Sequence, residues 1–309
     1  MRQNPLSPRV LLLSWAMALF AWPFAWLLLA VAQGLGVRVA GGGWIGVAVP
    51  LGLHPWGVVN EPSIAFANTG ASLFLYWLPP QMVALAVALL VPTVVPVPPS
   101  WRSETFVFQL ATASAVLGLG WAPPLGVADG PASGLARFWQ IPPTVFVSVS
   151  AAVGAFVVQI AGMRMASHLW SEPGGPTRRR RVLVALGHAV VPAIGWAVTV
   201  IALGWRFPQE AVVTAGTVLL GTLLGAWIWV PRSPLRPRPE VGWGNVIAAA
   251  VIGIAAFAGA LWAGAPQGGG GRAVVWGDLG QTNNLRPGVK VVRLTMRPAP
   301  KKPPVPSTP

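Results

Sequence analysis

Ser171-Glu172-Pro173-Gly174-Gly175-Pro176-Thr177-Arg178-Arg179-Arg180-Arg181 is the densest charge cluster in the chain, and it lies between two long apolar runs. Four consecutive arginines at the edge of an apolar run read as a topological anchor, because basic flanks stay cytoplasmic when a helix inserts. The same cluster could hold anionic lipid headgroups, each basic residue contributing on the order of 1 kcal/mol near a charged surface. The anchor role needs no bound partner, so it is the simpler of the two.

The rest of the composition agrees with a membrane setting. Charged residues make up 9% of the 309 and hydrophobic ones 54%, with a mean hydropathy of +0.63. A soluble domain carries roughly 25% charged residues. The apolar runs repeatedly reach the ~18 to 20 residues that cross a hydrocarbon core. The expected fold is an all-α polytopic bundle of transmembrane helices. Seven spans are expected, over residues 10–32, 73–95, 105–121, 144–166, 182–204, 211–230 and 243–264. The first has the outline of a secretory signal, with Ala30-Val31-Ala32 as a cleavage-like site. Its apolar run exceeds the usual 7–15 residues, so it reads as an uncleaved helix.

Two segments stand apart from the spans. Residues 34–72 form an outer loop, broken by Pro50, His54 and Pro55. It reads as lying against the outer surface; the alternatives are a re-entrant segment or an eighth span over 41–59. Residues 265–309 form a basic, Gly/Pro-rich tail in which 273–276 and 289–296 suggest two short strands, a β-hairpin.

With seven spans and the N-terminus inside, eleven arginines fall in the cytoplasm (Arg2, Arg9, Arg102, Arg164, Arg178, Arg179, Arg180, Arg181, Arg232, Arg236 and Arg238). Three, Arg38, Arg137 and Arg206, fall outside. The bias obeys the positive-inside rule. The tail, which this scheme places outside, defies it. Arginine outnumbers lysine eighteen to three, the signature of a GC-rich genome. The expected location is the plasma membrane of a bacterium.

The acidic residues limit the chemistry. All seven (Glu61, Glu104, Asp129, Glu172, Glu210, Glu240 and Asp278) fall in expected loops or the tail. Proton- and cation-coupled machines rely on ionisable groups within the membrane, and this bundle offers no carboxylate there. His188 is the one ionisable residue well inside a span. A metal site is not expected, since no cysteine exists and no further ligand accompanies His168 and His188. No cofactor motif, P-loop or H-E-x-x-H is present. Nucleic acid is not an expected partner, because the basic residues sit in short loops and a tail and build no folded basic face. The expected partners are the lipid bilayer and a protein docking on 34–72 and 265–309.

Two functional classes follow. The first is a non-catalytic structural or assembly component of a membrane or envelope complex. The second is a permease or channel for an uncharged or lipidic substrate, with a polar path along Gln81, Gln109, Thr112, Gln159 and His188.

Overall fold

The computed structural model describes residues 4–39, 43–49, 56–60, 82–83, 86–88, 100–119, 140–142, 145, 149, 152, 156, 177–202, 208–228, 239–264, 272–276 and 290–293. These residues are mostly helical. Three helical stretches, Pro8–Val39, Arg178–Thr199 and Trp243–Trp262, are long and apolar enough to cross a membrane, and Leu219–Ile228 is a shorter apolar one. The chain is a membrane-associated protein.

Helix α1 (Pro8–Val39) is the central element. Pro8 opens it at the position where a missing N–H costs nothing. At 32 residues it is about 48 Å long, well beyond the ~30 Å of a hydrocarbon core. It therefore overshoots the expected 10–32 segment, and its last turns pack on strands. Ala16, Ala18, Ala21, Ala25 and Ala30 are buried along it, which lets neighbouring backbones come close.

The other helices arrange themselves around α1. Helix α2 (Trp101–Leu119) starts after Pro98-Pro99, where Ser100 Oγ accepts from the Ser103 N–H at 3.2 Å. Helix α3 (Arg178–Ala185) is capped by Thr177, whose hydroxyl accepts from the Arg180 N–H. It continues through a π-helical turn (Leu186–Val190) into α4 (Val191–Ala202). Helices α5 (Pro208–Ile228) and α6 (Trp243–Gly264) complete the described set.

Contacts fix the sense of each helix. Trp15 lies by Gly187, and Trp22 and Trp26 meet Trp196 at a tilt, with centroids 5.2 and 6.1 Å apart, so α1 and α3–α4 run parallel. Arg9 stacks on Trp243 and Ala16 touches Gly253, so α1 and α6 are parallel too. Arg178 meets Trp227 near the end of α5, which makes α5 antiparallel to α3. Gln109 bonds Ser14 while Phe106 meets Phe20, so α2 runs against α1. A simple seven-span alternation gives the segment at 105–121 the same sense as the first. The observed sense is the opposite: Trp101 lies toward the C-terminal end of α1, and hydropathy carries no information about direction.

At that end sits a four-stranded sheet of order β2-β1-β3-β4. Strands β1 (Gly43–Val49) and β2 (Trp56–Asn60) follow α1, and β3 (Arg272–Val275) and β4 (Lys290–Arg293) follow α6. Because α1 and α6 run parallel, both deliver their strands to the same end. Two expectations are corrected here. The fold is not all-α, since 43–49 and 56–60 are paired strands and neither a span nor an irregular re-entrant loop. The tail strands do not form a hairpin either: β3 pairs antiparallel with β1 (Ala48 opposite Ala273) and parallel with β4. The fourteen residues between Val275 and Lys290 are enough for the return that a parallel pair needs. The turn-rich composition of 277–288 concealed that option. Those residues lie outside the described ones.

Candidate functional site

Among the described residues, the π turn is where buried polar groups from the most helices meet. Pro192 has no N–H to offer the carbonyl four residues before it, which is that of His188. Val191 donates to Leu186 O, five residues back, so it leaves Gly187 O free as well. Both released carbonyls are taken up by neighbouring helices. Trp15 Nε1 of α1 donates to Gly187 O at 2.8 Å. Gln109 Nε2 of α2 donates to His188 O at 2.5 Å and to Ser14 Oγ at 3.0 Å.

His188 closes the knot. Its Nε2 lies 3.0 Å from Pro5 O. A carbonyl can only accept, so the proton sits on Nε2 and Nδ1 is a bare acceptor. Ser14, Gln109, Thr112 and His188 are all almost wholly buried. Among the described residues, His188 Nδ1, Gln109 Oε1 and Thr112 Oγ1 have no hydrogen-bond partner. The knot thus ties α1, its N-terminal lead and α2 to the α3–α4 helix at one level of the bundle. It holds polar groups inward without a carboxylate, an arrangement suited to fixing helix positions.

Of the five residues expected to line a polar path, the structure brings Gln109 to the His188 backbone and buries Thr112 three residues further along α2. Gln81 and Gln159 lie outside the described residues. Ser14, Trp15 and Pro5 were missed. The readable signal was Pro192, four residues after His188, which marks a carbonyl in want of a donor.

The arginine cluster divides in two. Arg178, Arg179 and Arg180 are exposed, whereas Arg181 is 4% exposed and its Nε donates to Ala226 O at 2.9 Å. Arg181 thereby places a cation on a last-turn carbonyl of α5, at the negative end of that helix. Trp residues mark both ends of the bundle. At the arginine end, Arg9 lies 5.3 Å from the Trp243 ring and Arg178 5.5 Å from the Trp227 ring. At the sheet end, Arg272 lies 3.9 Å from the Trp262 ring and also donates to Trp262 O. Trp243 and Trp262 are separated by about 28 Å along α6 at a rise of 1.5 Å per residue, close to the thickness of a hydrocarbon core. Between them Ile247, Val251, Ile252 and Ile254 point outward.

The sheet at the far end is tied in by tryptophan. Trp276 N–H donates to Ile45 O at 2.9 Å, one residue beyond the β1–β3 ladder, and the Trp44 and Trp276 rings meet edge to face at 5.2 Å. Trp44 lies over Gly34 of α1, where any side chain would collide with its indole. Ala48, Ala273 and Val275 are buried, while Val274, Trp276, Val291 and Val292 are exposed.

No protein-family model, curated protein or solved structure matches this chain.

Proposed function

We propose that this protein is a non-catalytic structural or assembly component of a membrane complex, and that its composite sheet is the surface that docks a protein partner. One observation carries the reading. Strands from the two substantial non-membrane segments, 34–72 and 265–309, join in one sheet whose outer strands among the described residues, β2 and β4, belong to different segments. Open strand edges are templates for another chain, and β4 adds the exposed Val291 and Val292.

In the same proposal the membrane is the plasma membrane of a bacterium, with the arginine end cytoplasmic and the sheet outside. The positive-inside rule supports this sidedness through Arg9 and Arg178 to Arg181 at the arginine end, while the sense of α2 sets Arg102 at the sheet end. Seven crossings, as an odd number, suit a chain whose first and last described residues lie at opposite ends of the bundle, but not with one crossing on each side of α2, as 73–95 and 144–166 would give. The sense of α2 then requires that any further crossings on either side of it come in pairs. Reporter fusions after Gly264 and within 171–177 test the sidedness; an active cytoplasmic reporter at Gly264 overturns it.

The docking reading is tested by recovery of the full-length protein from its native membrane in mild detergent, beside Gly46→Val. A Cβ at Gly46 would lie 2.5 Å from Val274 O, so this variant parts β1 from β3. A stoichiometric partner that is lost in Gly46→Val, with helix content retained by circular dichroism, supports the proposal. Protein recovered without a partner, or a partner held equally by both forms, contradicts it.

The alternative is a permease or channel for an uncharged or lipidic substrate. The open acceptors Gln109 Oε1 and His188 Nδ1 are the observation that favours it. It requires solute flux in liposomes that His188→Ala abolishes.

A further inference from the structure

We propose that the arginine end of α3 and α5 binds one anionic phospholipid, with its phosphate between Arg178 and Arg179 and its acyl chains along the two apolar stripes that these arginines head. On α5, Leu220, Leu224, Trp227 and Ile228 fall on one face at helical spacing and are 49–62% exposed. Arg178 tops this stripe, its guanidinium stacked on Trp227. On the neighbouring helix Arg179 stands four residues before the exposed Leu183, and Ile194 and Val198 continue the apolar face along α4. The two helices are packed side by side, joined by the bond from Arg181 to Ala226 O.

The charge arrangement calls for an anion. Arg178 and Arg179 are adjacent like charges, and neither is ion-paired with a described residue. No acidic residue occupies the first turn of α3 to offset them. A guanidinium recognises a phosphodiester by paired hydrogen bonds, and stacking on Trp227 pre-orients one of the two. A net-negative headgroup relieves the repulsion. A choline headgroup brings its own cation and relieves less of it. The stripes distinguish a lipid from a free phosphate, because only a lipid covers about 60% exposed leucine and isoleucine beside the charge. This inference is independent of what docks on the sheet.

The test is lipid retention by the full-length protein, released from nanodiscs of phosphatidylcholine mixed with phosphatidylglycerol and read by native mass spectrometry. We expect phosphatidylglycerol to be retained over phosphatidylcholine. Arg178→Gln and Arg179→Gln should each weaken retention about five-fold, which is ~1 kcal/mol per basic residue converted at 1.4 kcal/mol per decade. Arg272→Gln, at the other end and also paired with a tryptophan, should leave it unchanged. Equal retention of the two lipids, or an equal loss in Arg272→Gln, overturns the proposal. Should the arginine variants fail to fold, rising salt applied to the wild-type protein tests the same contact. The phosphatidylglycerol excess must then fall while bound phosphatidylcholine holds steady, and an excess indifferent to salt overturns the assignment.

Discussion

Helices α1 and α6 run side by side in the same direction and are almost equally apolar. Half of the most apolar stretch of α1 is buried, but only 17% of that of α6. The difference lies in their neighbours. Among the described residues, α1 packs on α6, α2, the π turn and the first two strands, whereas α6 leans chiefly on α1. The side chains match these positions. α1 carries a run of buried alanines and the polar Ser14, while α6 turns Ile247, Val251, Ile252 and Ile254 outward and reserves Gly253 for contact. In a membrane helix, hydropathy reports the crossing; small residues report the neighbours.

Substitutions along α6 can break this contrast. A Cβ at Gly253 would strike the Ala16 carbonyl and Leu19, whereas one at Gly259 meets nothing within 4 Å. We expect Gly253→Val to cost ~1–3 kcal/mol, the usual range for overpacking against backbone. Thermal unfolding of the full chain in detergent measures it. A next, smaller effect is expected in α1's neighbour. Gln109→Leu removes the donor from His188 O and Ser14 Oγ, at a cost of ~0.6 to 1.7 kcal/mol by the range for polar contacts in membranes. A cycle with Ser14→Ala should show coupling between the two positions. The smallest effect belongs to Gly259→Val, within about 0.5 kcal/mol of wild type. If Gly253→Val and Gly259→Val unfold alike, α6 does not lean on α1 in the way described.

Much of the helical part was readable in the sequence. The apolar stretch 243–264 is helix α6 over the same residues, and 211–230 overlaps α5 at 208–228. Continuous apolar runs ended by Gly, Pro and Arg carry their own boundaries. Gln33, Gly34 and Arg38 look like the end of the first helix by hydropathy, yet the helix runs on to Val39 with Trp44 packed over Gly34. The sheet was half visible. Short β-branched runs at 273–276 and 289–296 pointed to strands near β3 and β4. The partner of β3 on its other side, β1, lies over two hundred residues away, so pairing and direction could not be read locally. At the polar knot, Gln109 and His188 were singled out by polarity in an apolar setting. The chemistry that joins them, a proline-released carbonyl and a π turn, depends on neighbours from two other helices. Arg181 was grouped with its three neighbours as a surface charge, but helical periodicity turns it inward to Ala226.

The central claim is that two distant segments, carried to one end by parallel helices, make a single sheet. Crosslinking tests it directly, because the chain has no native cysteine to confuse the result. Ala48 and Ala273 are Cα partners across β1 and β3, whereas Val275 faces Gly46 instead. In membranes treated with a mild oxidant, we expect Ala48→Cys with Ala273→Cys to form an intramolecular disulfide, and Ala48→Cys with Val275→Cys to form far less. Absence of the first crosslink, or equal yield from both pairs, would contradict the composite sheet and the docking surface built on it.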